Sequence, residues 1–256
     1  MNAFCTDILK WQKKPGLRKK DGVFIVEGIR MFSEIPTERL RGAVLSESFA
    51  RENEALPESL RKAGTFPVYV VKDGDFERIS DTKTPQGILA VVKAFSYTEE
   101  EVFSDENGVY VLLENLQDPG NLGTIFRSAE AAGISGVIMD EACCDVYNPK
   151  VIRSTMGSFL RMKFIVVPDL KDTVRNIKAR GGRAYAAALQ GSVPYDTPDY
   201  RGLSAFLIGN EAKGLTEELI AASGEAVRIP MSGRVESLNA AMAATILMYE
   251  AKRQRK

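Results

Sequence analysis

The sequence contains no histidine, and this absence limits the chemistry open to the 256-residue chain. Without an imidazole, catalysis of the Ser-His-Asp and Cys-His types is excluded and a zinc site is disfavoured. The three cysteines, Cys5, Cys143 and Cys144, have neither the spacing of a metal site nor the pattern of a disulfide framework. We therefore expect buried or half-buried thiols, no bound metal, and proton transfer by Arg, Lys, Glu, Asp or Tyr.

Long apolar runs are also missing. The runs at 109–113 and 206–208 are far shorter than the roughly 20 residues that cross a bilayer. The first residues lack the apolar segment of a secretory signal, so we expect cytoplasmic residence. With 45% hydrophobic and 27% charged residues, the composition is that of a globular protein with one large or two modest domains.

A net charge is absent too, since 34 basic side chains balance 34 acidic ones. This balance argues against a simple basic nucleic-acid-binding protein, but the charges are unevenly placed. A basic cluster near the start is consistent both with a solvated face and with contacts to RNA phosphates. Its candidate RNA-binding residues are Lys13, Lys14, Arg18, Lys19 and Lys20.

Apolar segments of strand length alternate with helical ones, a pattern typical of α/β proteins with a mostly parallel sheet. Within residues 1–95 the pattern predicts a small α/β domain with a basic N-terminal arm. One polar helix of this domain is expected to be interrupted near Pro57. The acidic segment 96–107 predicts an interdomain linker. The pattern restarts in a second domain, residues 108–256.

The last predicted helix begins at Ser237. Apolar residues recur along it at helical spacing, so we expect this face to pack against the sheet. They are Leu238, Met242, Ile246 and Tyr249.

Three polar loops follow predicted strands of the second domain, and ligands of parallel sheets bind beyond the carboxyl ends of strands. Each loop alone is also explained as a connector that caps the next helix, a role expected for Asn121. The glycines of the first loop spell neither GxGxxG nor a Walker motif, which disfavours a nicotinamide or ATP-phosphate site. The candidate site residues are Asn121 and Arg127 in the first loop and its helix, Glu211 in the second, and Ser237 and Asn239 in the third.

Together, the loops resemble the three signature motifs of the SpoU family of SPOUT methyltransferases, the TrmH-like RNA ribose 2'-O-methyltransferases. The matching residues are Asn121-Leu-Gly with Arg127, Ile208-Gly-Asn-Glu-Ala-Lys-Gly214, and Ile229-Pro-Met-Ser-Gly with Glu236-Ser-Leu-Asn239. The third motif departs at Ala240-Ala241, where the family usually has a small aliphatic residue and then serine. Less specifically, Phe24-Ile-Val-Glu-Gly28 and Gln86-Gly-Ile88 are similar to a ribosomal-protein-like substrate-binding domain.

The resemblance implies a C-terminal α/β trefoil-knot domain, where the strand pattern alone would predict an open Rossmann-like sheet. It implies a homodimer that transfers a methyl group from S-adenosylmethionine to a ribose 2'-hydroxyl of RNA. Ribosomal RNA is the expected substrate by analogy, and transfer RNA is the alternative. Two other hypotheses are a non-catalytic RNA-binding or ribosome-assembly factor that kept the fold and an enzyme for a small nucleotide.

The resemblance also implies roles for individual residues. Arg127 is central and is proposed in the family as a general base, while Asn121, Glu211, Ser237 and Asn239 arrange the site. The guanidinium of arginine has a pKa above about 12. We therefore expect Arg127 to clamp the target phosphate and stabilise the developing alkoxide, with Glu211 or a phosphate receiving the proton. The implied cofactor contacts are Leu113, Gly209, Asn210, Ile229, Met231, Ser237 and Leu238.

Overall fold

The computed structural model describes residues 2–235 and 237–255. By their internal contacts they form two compact units. The first unit contains the residues up to Phe95 together with Asp145–Leu160. The second unit contains Ser96–Cys144 together with the residues from Arg161 onward. These units differ from the predicted domains in the segment 145–160, which packs with the first unit.

The first unit is built on a four-stranded sheet. Its strands are β1 (Val23–Glu27), β2 (Leu40–Ser46), β3 (Val68–Val71) and β4 (Ile88–Lys93). They lie in the order β1-β4-β2-β3, with β4 antiparallel to both neighbours and β2 parallel to β3. The helices before the second unit are α1 (Ala3–Lys13), α2 (Pro15–Asp21), α3 (Ile29–Phe32), α4 (Glu47–Glu52), α5 (Ala55–Ala63) and α6 (Asp73–Ile79), with a 3-10 turn at Thr37–Arg39.

The predicted break near Pro57 lies elsewhere. The helical segment is interrupted at Asn53 and Glu54, between α4 and α5. Pro57 sits in the first turn of α5, where its missing N–H costs no helical hydrogen bond.

The basic N-terminal segment is helical and contributes to the core, so the prediction of an arm is wrong. Cys5 and Ile8 of α1 are fully buried with Phe76 and strand residues. Arg18 is only 2% exposed, and its guanidinium donates to the carbonyls of Trp11 and Gln12 and pairs with Asp145. Arg18 is therefore not available to RNA phosphates, and deleting this segment would remove part of the core.

Aromatic packing explains why the segment 145–160 belongs to the first unit. The ring of Phe24 in β1 lies 5.2 Å from that of Tyr147 and 5.5 Å from that of Phe159, measured between centroids. The Tyr147 hydroxyl also donates to the Phe95 carbonyl at 2.8 Å. Edge-to-face and tilted pairs at these distances stabilise a core beyond simple burial.

The second unit is built on a seven-stranded sheet in which every pair is parallel. Its strands are β5 (Val109–Leu113), β6 (Gly136–Asp140), β7 (Phe164–Val167), β8 (Arg183–Ala187), β9 (Val193–Pro194), β10 (Ser204–Ile208) and β11 (Gly224–Arg228), in the order β7-β6-β5-β10-β8-β11-β9. The remaining helices are α7 (Glu99–Val102), α8 (Pro119–Ala132), α9 (Pro149–Ser154, in the first unit), α10 (Leu170–Ala179), α11 (Glu217–Ser223) and α12 (Ala240–Gln254), with a 3-10 turn at Ser158–Leu160. The α/β class with a mostly parallel sheet is confirmed.

The acidic segment 96–107 is more ordered than a linker. Thr98 and Glu101 form a capping box that starts α7. Val102 and Phe103 are buried in the core of the second unit, and the Phe103 ring lies 4.6 Å from that of Tyr110. Because charged residues of α7 dominate this segment of the sequence, the burial of these two apolar residues was not predicted.

The last helix, α12, buries a different face from the one predicted and begins at Ala240. Met242 is 57% exposed and Tyr249 is 45% exposed. The buried face consists mainly of small residues, which permit close packing on α8. The small residues are Ala240, Ala241, Ala244 and Ala251, and Leu247, Met248 and Glu250 are buried beside them. Across this contact Thr245 lies 2.9 Å from Ser128, hydroxyl to hydroxyl.

In the described part of the chain, no helix is long and apolar enough to cross a membrane.

Candidate active site

The three predicted loops lie at one edge of the second unit's sheet. They follow β5, β10 and β11, and β8 stands between β10 and β11. All four strands are parallel, so their carboxyl ends meet at the same edge. Asn121 of the first loop and Glu211 of the second are 90 residues apart in the sequence. Strand pairing brings the two loops together, since Leu113 lies opposite Ile208.

A line of hydrogen bonds connects the three loops. The Asn239 side-chain amide donates to the Asn121 Oδ1 at 2.8 Å, and the Asn121 amide donates to the Glu211 Oε1 at 3.0 Å. Each residue comes from a different loop. The structure thus brings together Asn121, Glu211 and Asn239, which were selected from the sequence as separate candidates.

Helix caps hold the two asparagines in place. Asp118, not Asn121, caps α8, since its Oδ1 accepts the Asn121 backbone N–H at 2.9 Å. Asn121 therefore lies in the first turn with its side chain free for Glu211. Asn239 is itself the cap of α12, and its Oδ1 accepts the backbone N–H of Ala241 at 2.9 Å. Its amide nitrogen remains available for Asn121.

Glu211 is the acceptor at the end of this line. Besides Asn121, it accepts backbone N–H groups of Asp118 at 2.9 Å and Gln117 at 3.2 Å. Partial burial opposes ionisation, but the hydrogen bonds from Asn121, Asp118 and Gln117 outweigh it and hold the pKa of Glu211 below its ordinary value. These hydrogen bonds tie the first and second loops together through Glu211.

The second loop is a tight turn closed on itself. Asn210 and Gly214 exchange backbone hydrogen bonds of 3.1 and 2.9 Å, and the Asn210 Oδ1 accepts the N–H groups of Ala212 and Lys213. At Gly209 a Cβ atom would lie 2.2 Å from the carbonyl carbon of Gly214. Only glycine permits this approach of backbone to backbone.

The first loop is held by residues that the sequence analysis missed. Asn115 adopts a positive φ of 51°, and its N–H donates to both carboxylate oxygens of Asp140 at 3.0 Å. Its carbonyl accepts the Asn210 amide at 2.8 Å, while Gln117 donates to its Oδ1 at 2.7 Å. The one sequence feature that could have indicated this role is an asparagine just beyond a buried strand, because asparagine tolerates a positive φ.

A cavity of about 290 Å³ opens between the ends of β8, β10 and β11 and the start of α12. Of the predicted cofactor contacts, Gly209, Asn210, Ile229, Met231, Ser237 and Leu238 line it. Leu113 is fully buried in β5 and is not part of the wall. One wall, Ala187–Leu189, was not predicted, because the end of β8 carries no polar residue that would mark it.

Arg127 lies apart from the cavity wall. It is exposed, roughly two turns into α8, and forms no hydrogen bond or ion pair within the described residues. Ser237 is exposed and lines the cavity, and Glu236 of the third motif lies outside the described residues. Among the described residues, no group of His, Cys, Asp or Glu side chains is arranged to hold a metal ion.

Comparisons with known proteins agree with this geometry. The model of the SpoU rRNA Methylase family matches residues 108–249, and that of the MRM3-like substrate binding domain matches residues 5–90. The chain is 32% identical over 232 residues to the 23S rRNA (guanosine(2553)-2'-O)-methyltransferase RlmP of Bacillus subtilis (strain 168), a match that covers 91% of this chain and 89% of the relative.

Two solved structures extend the match to the whole fold. The SpoU methyltransferase AviRb from Streptomyces viridochromogenes, in complex with the cofactor AdoMet, superimposes with a TM-score of 0.89 at 28% identity, covering 100% of this chain and 98% of that one. The AdoMet-bound rRNA methyltransferase from Sinorhizobium meliloti gives a TM-score of 0.87 at 30% identity, covering 98% and 95%. The resemblance seen in the three motifs is confirmed, and the chain belongs to the SpoU rRNA methylase family.

Proposed function

We propose that this protein transfers a methyl group from S-adenosylmethionine to a ribose 2'-hydroxyl of ribosomal RNA. The observation that carries the proposal is the hydrogen-bonded line from Asn239 through Asn121 to Glu211, which joins three family motifs beside one cavity. Support comes from relatives that are named as 2'-O-methyltransferases of 23S rRNA in Bacillus subtilis and Streptomyces viridochromogenes.

The cavity suits the proposed methyl donor. Its volume of about 290 Å³ is near the lower end of small-molecule sites, which span roughly 300 to 1,000 Å³. Apolar side chains of Ile229, Leu238 and Leu247 would contact the adenine, and backbone at Gly209 and Met231 would bind the polar groups. When bound, the donor supplies a methyl group already activated on a sulfonium.

The protein's own task is then to prepare the acceptor. A ribose 2'-hydroxyl is a weak nucleophile and must be aligned and relieved of its proton as it attacks. In our proposal Arg127 clamps the target phosphate and stabilises negative charge on the sugar oxygen, while the 2'-hydroxyl proton passes to Glu211 or to a phosphate of the RNA. Asn121, Glu211 and Asn239 fix the loops, and Ser237 faces the cavity.

The function is tested with purified protein, methyl-labelled S-adenosylmethionine and protein-free ribosomal RNA. We expect label in RNA that resists alkaline cleavage at one nucleotide, because a methylated 2'-oxygen cannot attack its phosphate. Transfer RNA and S-adenosylmethionine binding by calorimetry are measured in parallel. Label on a base, label only in transfer RNA, or donor binding without transfer to any RNA would each contradict the proposal.

We further propose a homodimer in which both subunits shape each site, and the threaded backbone that the family resemblance implies. Two observations support the dimer: an apolar stripe of α12 is exposed, and Arg127 on the adjoining α8 does not line the cavity of its own chain.

An experimental structure in which the chain after Ile229 passes through no loop would contradict the knot. Residence in the cytoplasm is proposed from the substrate, and cell fractionation tests it.

Replacing Met242 and Tyr249 together by glutamate is expected to convert the dimer to a monomer and to abolish methyl transfer. The two side chains are 57% and 45% exposed, and charges there would be buried unpaired in a dimer. Light scattering after gel filtration measures the mass. Val166→Glu is the matched control, since Val166 is 47% exposed on β7. A dimer that survives the double change, or one lost in the control, would place the interface elsewhere.

A further inference from the structure

The first unit contains a second cavity, which neither the catalytic site nor the sequence motifs account for. It is about 510 Å³ in volume and lies at the edge of the sheet where β2 and β3 begin and β4 ends. Its walls combine half-buried aromatic rings with exposed cations. The rings are Phe4, Trp11 and Phe66, and the cations are Arg41 and Lys93.

The aromatic side chains are fixed by their neighbours. The indole N–H of Trp11 donates to Asp21 at 2.7 Å, and the Phe4 ring lies 6.2 Å from it at an interplanar angle of 80°. Phe4 also covers Gly42, where a Cβ atom would lie 2.3 Å from its ring. Phe66 covers Gly64 in the same way, at 2.5 Å. Rings held this way lose little freedom when a planar ligand stacks on them.

Two cations, Arg41 and Lys93, outnumber the one carboxylate, Asp21, that lines the cavity, and so favour an anionic ligand. Arg41 is exposed and has no hydrogen bond or ion pair within the described residues. Lys93 donates to the Glu38 carbonyl at 2.8 Å and keeps further N–H groups for solvent or ligand. Lys19 and Lys20, both exposed, directly precede the cavity residue Asp21 in α2.

We propose that this cavity binds one or two unpaired nucleotides of the RNA substrate, with bases against Trp11 and Phe66 and phosphates against Arg41 and Lys93. Single-stranded RNA is recognised by stacking on aromatic rings flanked by cations, whereas a duplex keeps its bases stacked inside. A purely apolar peptide would leave Arg41 without a partner. This inference rests on the proposed function, because it takes RNA as the ligand.

Trp11 provides a direct readout, since it is the single tryptophan of the chain. We expect its emission to be quenched on titration with a mixed-sequence single-stranded RNA of about 10 nucleotides, a length within the usual site size. A duplex of the same sequence is expected to leave the emission unchanged. Full-length protein is used throughout, because α1 is part of the core.

Two variants and one control separate stacking from general charge. Phe66→Ala and Arg41→Glu are each expected to weaken RNA binding about tenfold, as loss of one stacked base or one phosphate contact does. Arg51→Glu makes the same charge change at exposed α4, which follows the opposite end of β2, and is expected to bind as wild type. Arg41→Glu alters only an exposed side chain, so it remains informative if Phe66→Ala unfolds.

The outcomes distinguish this inference from the proposed function. Methyl transfer by the wild type with no change in Trp11 emission at saturating RNA would overturn the inference alone. Equal weakening by Arg41→Glu and Arg51→Glu would overturn it too, since the effect would then be general charge. A quench by a protein ligand, with none by RNA, would contradict it as well. Absence of methyl transfer to any RNA by a wild type that binds RNA at Trp11 would instead refute the proposed function.

Discussion

Replacing Arg127 by alanine is expected to lower methyl transfer by about a thousandfold while the affinity for S-adenosylmethionine stays unchanged. Loss of a single group that stabilises charge in a transition state typically costs about a hundred- to a thousandfold in rate. Arg127 does not line the cavity proposed for the donor, which is why donor binding should survive. Single-turnover transfer to ribosomal RNA and calorimetry with the donor measure the two quantities.

Arg175→Ala is the matched control for this experiment. Arg175 is also an exposed arginine on a helix of the second unit, but it lies outside the three motifs and pairs with Asp172 within α10. We expect wild-type transfer from this variant. Full turnover by Arg127→Ala would rule out both the positioning role and the base role, and loss of donor binding would show that Arg127 acts on the cofactor instead.

Arg127→Lys separates the two roles. If the cation positions phosphate and stabilises charge, lysine retains part of the rate, and the pH profile keeps the shape of the wild type. If the side chain must accept a proton, the profile moves to lower pH, because the pKa of a lysine side chain, about 10.4, lies below that of arginine. The rate of transfer is therefore measured from neutral to alkaline pH in both proteins.

The convergence of the three loops could be predicted from the sequence, because each loop follows a buried strand and parallel strands end at one edge. The strand segments are short and apolar, and their alternation with helices leaves few alternative sheet topologies. Asn121 and Asn239 were therefore candidates at the same edge of the sheet. Their direct hydrogen bond depends on which residue caps each helix, a choice between neighbouring polar side chains that the sequence does not decide.

Other features could not be predicted because they depend on contacts between distant segments. Arg18 reads as one more cation of a basic cluster, yet its partner Asp145 lies in another part of the chain. On α12 the predicted face was chosen for its large apolar residues, whereas the buried face includes small residues such as Ala244 and Ala251, which permit close packing on α8. Whether a side chain is buried depends on its shape as well as on its hydrophobicity. The shape that is required depends on both of the packed helices.

Replacing Gly209 by alanine is expected to weaken S-adenosylmethionine binding by about 5- to 150-fold, the equivalent of the roughly 1–3 kcal/mol that overpacking costs. The added Cβ would lie 2.2 Å from the Gly214 carbonyl carbon and 2.3 Å from the Leu215 nitrogen. Both are backbone atoms, so no rotation of a side chain relieves the clash. The turn must open, which breaks the paired hydrogen bonds between Asn210 and Gly214.

The opened turn would displace Glu211, which follows Gly209 by two residues, and with it the hydrogen bonds to Asn121 and Asp118. Methyl transfer should therefore fall further than donor affinity, because the acceptor side of the site is disturbed as well. Gly202→Ala is the control, since a Cβ there meets no atom within 4 Å. Thermal unfolding of both variants separates a local change from loss of the fold. Donor binding within about threefold of wild type, in a folded Gly209→Ala protein, would show that this close approach is not what shapes the cavity.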